Sequence, residues 1–252
     1  TITDTPEASP FVITVTPGPT VTPDPTQMIA TTVTPVRPAS SLPQTFSFGQ
    51  SVQGRALTAW RIGEGDRAIM LVGGIHGGWE SNTVRLLEQL IAHFDTNRAQ
   101  VLPGFALVLV PSLNPDGAVL GQTLAGRFNA RGVDLNRNWE CGWSEEAYFQ
   151  SSRVDPGSEP FSEPETAAMA ALINDTRPEV VLFYHSAANG VFTGDCDNGI
   201  GGISESMGAI LGEATGYTYG QSFSAYPVTG TAASWVDGLG IPSADVALIT
   251  ST

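Results

Sequence analysis

The sequence predicts an α/β protein: a mixed, mostly parallel central sheet with helices on both faces, preceded by a disordered Thr/Pro-rich stalk. Three observations carry this. The segments 68–72 (AIMLV), Phe105–Val110 (FALVLV) and 180–184 (VVLFY) are apolar without alternation. A strand apolar on both sides is covered on both sides, which is how parallel strands sit. Segments with helical spacing lie between such strands, and alternation of the two builds a helix-covered sheet. No internal repeat of about 20–50 residues suggests a solenoid instead.

The elements follow in order. Residues 1–44 stand apart, because Thr and Pro fill 20 of the 44 positions. Proline removes backbone donors and favours extended, solvated chain, so a flexible stalk is expected there. Residues 45–252 are expected to form one domain. Ala56–Ile62 reads as its first strand, and 68–72 as a buried strand ending at Gly73-Gly74. Residues 80–94 place Val84, Leu86, Leu87, Leu90 and Ile91 at helical spacing. Phe105–Val110 is the next strand. Residues 165–174 read as a helix with Pro164 near the first turn. Residues 180–184 form another central strand, 203–214 a helix closed by Gly216, and 243–249 a last strand. That strand ends with the chain, so the domain is expected to be clipped at its C-terminus.

Composition narrows the function. The 252 residues carry 11 Lys+Arg against 25 Asp+Glu, a net charge of −14, and every basic residue is Arg. Nucleic acid and anionic membrane surfaces are excluded as general partners, because both repel such a chain. No apolar run reaches the roughly 18 residues of a membrane span. Two cysteines do not make a disulfide scaffold. The chain does not begin with Met and shows no signal peptide, so it is expected to start downstream of one. Thr-rich stalks space domains from surfaces. The expectation is a bacterial protein, secreted or on the cell surface, acting as a monomer.

Three histidines can be weighed singly. His76 and Glu80 follow the 68–72 strand in GGIHGGWE, where glycines permit a sharp turn and are expected to leave space above a site. His185 follows the strand VVLFY. All three fall at carboxyl ends of strands, where α/β proteins build sites. Two imidazoles and a carboxylate are a ligand set for zinc with one position open. His93 lies within a helix and receives no role. A second cluster, RFNARGVDLNRNW (127–139), holds three arginines in eleven residues of an acidic chain. Guanidinium forks bind carboxylates, so this cluster points to a carboxylate ligand.

The ordered motifs GGIHGGWE, PSLNPDG (111–117), RFNARGVDLNRNW, PFSEPET (160–166), FYHS (183–186) and GIPSADVAL (240–248) resemble the zinc metallocarboxypeptidases, the carboxypeptidase A-like peptidases. The resemblance runs from about residue 46 to the end and is of the bacterial single-domain type. It implies one Zn²⁺ on His76, Glu80 and His185, with Asp134 accepting the other ring N–H of His76. It implies that Asn136 and Arg137 hold a terminal carboxylate and that Tyr226 closes over it. Arg127, or alternatively Arg131, supports the developing oxyanion. Ala233 lies near the floor of the specificity pocket and supplies no charge, so no preference for basic residues is expected. The implied reaction is hydrolysis of a C-terminal amide bond in a peptide or a peptidoglycan stem peptide.

One position departs from the pattern. The family's last strand carries a Glu that acts as general base, and here Ala247 stands there. Three explanations stay open: a substitution that disables catalysis for study, a natural module that binds peptide ends without cutting, or replacement of the base by Asp245. Asp245 lies two residues away on the same face of the strand. Cys141 and Cys196 flank the motifs and are expected either to pair, tying two loops beside the site, or to remain buried thiols. Glu163 and Glu165 read as acids at a helix start, and Asn114 and Asp116 as a turn.

Overall fold

The computed structural model describes residues 36–42, 44–196, 202–220, 223 and 225–251. The stalk expected over 1–44 lies outside these residues up to position 35. Residues 36–42 differ from that expectation, because they pack on the domain. Ala39 and Leu42 are buried in its core, and Arg61 Nε donates to the Leu42 carbonyl at 2.8 Å. The turn Ala39–Ser41 explains this, since residues three apart in a 3₁₀ turn share one side.

The main sheet has seven strands among the described residues. These are β1 (Thr45–Gln50), β2 (Ala56–Ile62), β3 (Arg67–Val72), β4 (Phe105–Val110), β7 (Val180–Ser186), β8 (Gly190–Thr193) and β9 (Ser243–Leu248), in the order β1-β2-β4-β3-β7-β9-β8. A separate hairpin pairs β5 (Ala147–Phe149) with β6 (Ser152–Val154). The four central strands β4, β3, β7 and β9 run parallel. β2 and β8 flank them antiparallel, and β1 adds to β2. The mixed, mostly parallel sheet is therefore present.

Two helical layers cover it. α3 (Pro164–Thr176) and α5 (Ala232–Gly238) pack with Trp139 against Met70, Val72, Val108 and Phe183. α1 (Ser81–Thr96) and α4 (Ile203–Thr215) cover the face that carries Leu71, Leu109, Leu182 and Val246. Successive residues such as Met70 and Leu71 thus enter opposite cores, which is why the strands are apolar throughout. A short turn of helix, α2 (Pro115–Ala118), follows β4.

The loop after β3 depends on two glycines. Gly77 has φ +45°, and a Cβ there would lie 2.6 Å from the Gly126 carbonyl oxygen; at Gly78 it would lie 2.3 Å from that of Gly121. These glycines do not leave open space, as the sequence suggested. The backbone of 117–126 fills it, and so buttresses the His76–Glu80 turn.

The acids outside the main motifs also do more than cap and turn. Asp116 accepts from Ser51 Oγ at 2.8 Å, from the Gln53 N–H at 2.9 Å and from Arg55 Nη1 at 2.5 Å. Glu165 accepts from the Val52 N–H at 2.9 Å and from Asn129 Nδ2 at 3.3 Å, and Glu163 accepts from Asn129 at 2.7 Å. The three buried carboxylates thereby clamp the β1–β2 turn and the 127–139 loop onto α2 and α3. Burial pushes Asp116 up, but its donors from Gln53, Ser51 and Arg55 outweigh this and hold it below the usual carboxylate value.

A depressed carboxyl contributes stability above its unfolded-state value and loses it as pH falls through the folded one. Asp116→Asn is therefore expected to lose about 1–3 kcal/mol at pH 7. Relative to wild type, this deficit should shrink below about pH 4. Denaturant unfolding at pH 7 and pH 3 checks this; an equal deficit at both would contradict it.

Candidate active site

The parallel strands deliver the chemical groups to one end of the sheet. His76 follows β3 and precedes the turn Gly77–Glu80, whose last residue caps α1. His185 lies within β7 rather than just after it, because that strand runs on to Ser186. There it pairs in register with Ala247 of β9. A ligand atom from each of His76, Glu80 and His185 lies within 4.8 Å of the others, and all three side chains are buried. Glu80 Oε2 is 3.2 Å from His185 Nδ1. Among the described residues, buried Glu80 Oε2 and His76 Nδ1 have no hydrogen-bond partner. Three buried donor groups converging at this spacing, with Glu80 Oε2 unpaired beside them, fit a zinc ion, whose N and O ligands bind at about 2.0–2.2 Å.

Asp134 sits beneath this group, fully buried. Its Oδ1 accepts the Asn136 N–H at 3.1 Å and lies 3.6 Å from His76 Nδ1. The second distance exceeds a hydrogen bond, so Asp134 neighbours the imidazole without bonding to it. Its Oδ2 pairs with Arg127, at 3.0 Å from Nε and 2.9 Å from Nη2. Arg127 is buried and lies with its guanidinium carbon 3.9 Å from the centroid of the Phe149 ring. Among the described residues, two of its three nitrogens are thus engaged, which leaves Nη1. Arg131 lies elsewhere, half-exposed and 3.4 Å from Glu163.

Arg137 is buried and donates from Nε and Nη2 to the Tyr148 carbonyl and from Nη1 to that of Asn136. Three of its five N–H donors are used. Asn136 Oδ1 accepts the Ala232 N–H at 2.9 Å, which turns the donor Nδ2 toward His185 Nε2 at 3.5 Å. Tyr226 packs edge-on to Phe149 and Phe223, at 5.9 and 4.9 Å between centroids. One cavity is lined by His76, Glu80, His185, Arg127, Asn136, Arg137, Tyr226, Asp245 and Ala247.

Electrostatics distinguish the two imidazoles, whose centroids are 5.1 Å apart. Burial and the charges of Arg127, His185 and Arg137 hold His76 well below its ordinary value. Burial also lowers His185, but the carboxylates of Asp245 and Glu80 outweigh it and hold it up to about 10. Metal coordination needs both rings as neutral donors.

Several expected placements change. Ala233 does not line the cavity. The Thr231 side chain caps α5 by accepting the Ser234 N–H at 3.3 Å, and this helix turns Ala233 into the core. β9 furnishes that side of the cavity instead, with Asp245 and Ala247. Asp245 Oδ1 is 3.2 Å from His185 Nε2, on the opposite ring edge from Glu80. His93 is exposed on α1, 2.8 Å from Gln100. Cys141 and Cys196 form a disulfide with a Cα–Cα distance of 5.9 Å. Sequence reasoning missed the aromatic lining of Phe149, Phe192 and Phe223; these residues lie on short strands or loops without periodicity.

A His–Glu–His group beside buried arginines, at the carboxyl ends of parallel strands, offers the donor set of a zinc site. Residues 36–195 match the zinc carboxypeptidase family, and the chain belongs to it. It is 28% identical over 220 residues to zinc carboxypeptidase A 1 of Anopheles gambiae, covering 75% of this chain and 51% of that protein. It is 38% identical over 113 residues to murein peptide amidase A of Escherichia coli K12, covering 37% of this chain and 45% of that one. The chain thus spans about half the length of these relatives. Its fold is similar to that of the murein-tripeptide amidase of Escherichia coli O157, with a TM-score of 0.60 and 24% identity over 82% of this chain and 84% of that one. Among the described residues, no helix is long and apolar enough to cross a membrane.

The purified protein is expected to take up one zinc ion per chain. His185→Ala is expected to lower that affinity by more than tenfold while Arg131→Ala leaves it unchanged. Elemental analysis with chelator competition checks this; unaltered uptake by the His185 variant would remove the assignment.

Proposed function

We propose that this domain binds one zinc ion on His76, Glu80 and His185 and receives the free C-terminus of a peptide. It has the layout of a metallocarboxypeptidase with an impaired hydrolytic step. The observation that carries the reading is the single cavity in which the His–Glu–His group meets Asn136, Arg137 and Ala247. A bound zinc ion supplies Lewis acidity, which acidifies water and polarises a carbonyl.

The chain's own residues supply the rest. Asn136 Nδ2 and the two unused Arg137 donors bind the terminal carboxylate. This requirement for a free carboxyl end places the last amide bond beside the metal group. Tyr226, held by two aromatic rings, covers the bound end and limits water. Arg127 Nη1 points its charge at the scissile carbonyl oxygen, while Asp134 fixes the guanidinium from behind. The gap is the proton. A base must take it from the attacking water and pass it to the leaving amine, and the methyl group of Ala247 can do neither. Asp245 does not fill this role in the proposal, because its carboxylate sits against the far edge of His185.

The substrate class is peptides with a free C-terminus, including peptidoglycan stem peptides; the murein amidase relative supports the latter. Ala247 favours a second reading as well, in which the domain binds such ends and releases them uncut. An assay of C-terminal residue release separates the two. Ala247→Glu is expected to raise turnover about 10²–10⁴-fold. A parent chain already as fast as the variant would refute the impairment. Carboxylate-dependent binding by a parent with no turnover would support the binding module.

A further inference from the structure

A groove of about 920 Å³ opens beside the site cavity and shares Phe149, Ser186, Ala188, Phe223 and Tyr226 with it. The two differ in charge. The site cavity carries Glu80, Arg127, Arg137 and Asp245. Among the described residues no charged side chain lines the groove, in a chain of net charge −14. A charged ligand group would lose hydration there and meet no opposite charge, so the groove suits a neutral one.

Aromatic rings form part of its wall. Trp79 meets Phe149 at 6.1 Å between centroids, Phe149 meets Tyr226 at 5.9 Å, and Tyr226 meets Phe223 at 4.9 Å, each contact edge-on. Rings joined this way brace one another without the full mutual cover of a face-to-face stack. Arg127 already takes one face of Phe149. Trp79 is the largest ring in the groove. It sits on the Gly77–Glu80 turn, which the 117–126 backbone buttresses, so its position is fixed with that of Glu80.

Beside the rings stand neutral polar groups. Gln122 spends Nε2 on the Ser251 carbonyl at 2.8 Å, which leaves its Oε1 as an acceptor. The Gln150 amide, the hydroxyls of Ser151 and Ser251 and the indole N–H of Trp79 have no protein partner among the described residues. β7 ends at Ser186 in the groove and is paired on both sides, by β3 and β9. It therefore offers no free edge on which an extended peptide could add as a strand. Recognition falls to ring faces and side-chain amides and hydroxyls. A sugar ring has the matching surface, because its C–H groups make one apolar face and its hydroxyls surround the edge. The volume lies near the top of the range of small-ligand pockets, about 300–1,000 Å³, which leaves room for a sugar in addition to peptide.

We propose that this groove binds a neutral sugar ring joined to the peptide upstream of its bound C-terminus, so that the whole ligand is a glycopeptide. The sugar rests its C–H face on Trp79, its hydroxyls meet Gln122, Gln150, Ser151 and Ser251, and the peptide passes Tyr226 to reach Arg137. This rests on the C-terminus-binding reading above and deepens it. The sugar has two sources of the same chemistry, a cell-wall fragment with the sugar on the peptide N-terminus or a glycoprotein with the sugar on a side chain.

Titration calorimetry on the zinc-loaded full chain tests this with tripeptides of one sequence, capped at the N-terminus by acetyl, phenylacetyl or N-acetylmuramoyl. A serine-extended pair, with and without O-linked N-acetylglucosamine, separates the sources. The sugar-bearing peptide is expected to bind about tenfold tighter than its sugar-free counterpart. A gain in the muramoyl peptide points to wall fragments and a gain in the O-linked pair to glycoproteins; either supports the groove. No gain in either overturns it. So does a phenylacetyl cap that gains as much as the sugar, because the groove would then read apolar bulk. Trp79→Ala is expected to abolish the gain, and Gln150→Ala to cut it about threefold. Should Trp79→Ala disturb the turn and lose zinc, Gln150 on the β5–β6 hairpin still decides. A gain untouched in both variants overturns the assignment. Raising salt from about 0.05 to 0.5 M should leave the gain unchanged; a gain that collapses would mean a charged contact and sink the proposal. The muramoyl acid and its C-terminal amide test the underlying reading separately. If they bind alike, C-terminus recognition fails. If the acid is preferred but neither sugar gains, only the sugar groove fails.

Discussion

Val72 of β3 pairs with Phe183 of β7, and His185 of β7 pairs with Ala247 of β9. These two parallel registers place the His–Glu–His group and the β9 side of the site. β3 delivers His76 and Glu80 just past its end, β7 delivers His185 at its end, and β9 brings Asp245 and Ala247 alongside. A slip of one residue in β9 would turn Asp245 and Ala247 away from the cavity and bring Val246 into it. The register is held because each strand alternates between two apolar cores, so a slip would misplace side chains on both faces at once.

Asp134 ties the sheet end to the arginine loop. It caps the turn Leu135–Arg137 through the Asn136 N–H, neutralises Arg127 and sits under His76. A buried guanidinium without this partner would carry a large desolvation cost. The acidic composition and the arginine cluster are thus two parts of one arrangement. The carboxylate of Asp134 holds Arg127 fixed, while Arg137 is held by backbone carbonyls that leave its charge available.

Much of this was legible in the sequence. Continuous apolar runs located β3, β4 and β7 almost to the residue, because strands buried on both faces leave a pattern without alternation. The scarcity of histidine made His76 and His185 conspicuous, and their positions after strands placed them at the sheet end. The antiparallel edge strands β1 and β8 were not legible, since their residues are mixed and gain order only by pairing. Ala233 misled for a similar reason. Its distance from Tyr226 was readable, but the direction its helix turns it was not. Asp245 was weighed as a base from its spacing along β9, whereas its contact with His185 arises only across two strands. Asp116 and Glu165 read as turn and helix-start acids; their partners lie 36 to 113 positions away in sequence.

The bond between Cys141 and Cys196 has a consequence for durability. It encloses the exposed stretch around Glu145, Gln150 and Ser152, an accessible place for another protease to nick the backbone. A cut there leaves both pieces covalently joined, with Glu80 on one side of the break and His185 on the other. The nicked molecule would keep its mass until reduced, and its two ligand-bearing segments would stay in the same sheet. In surroundings rich in hydrolases, a single break in that loop would scar the molecule without dismantling it.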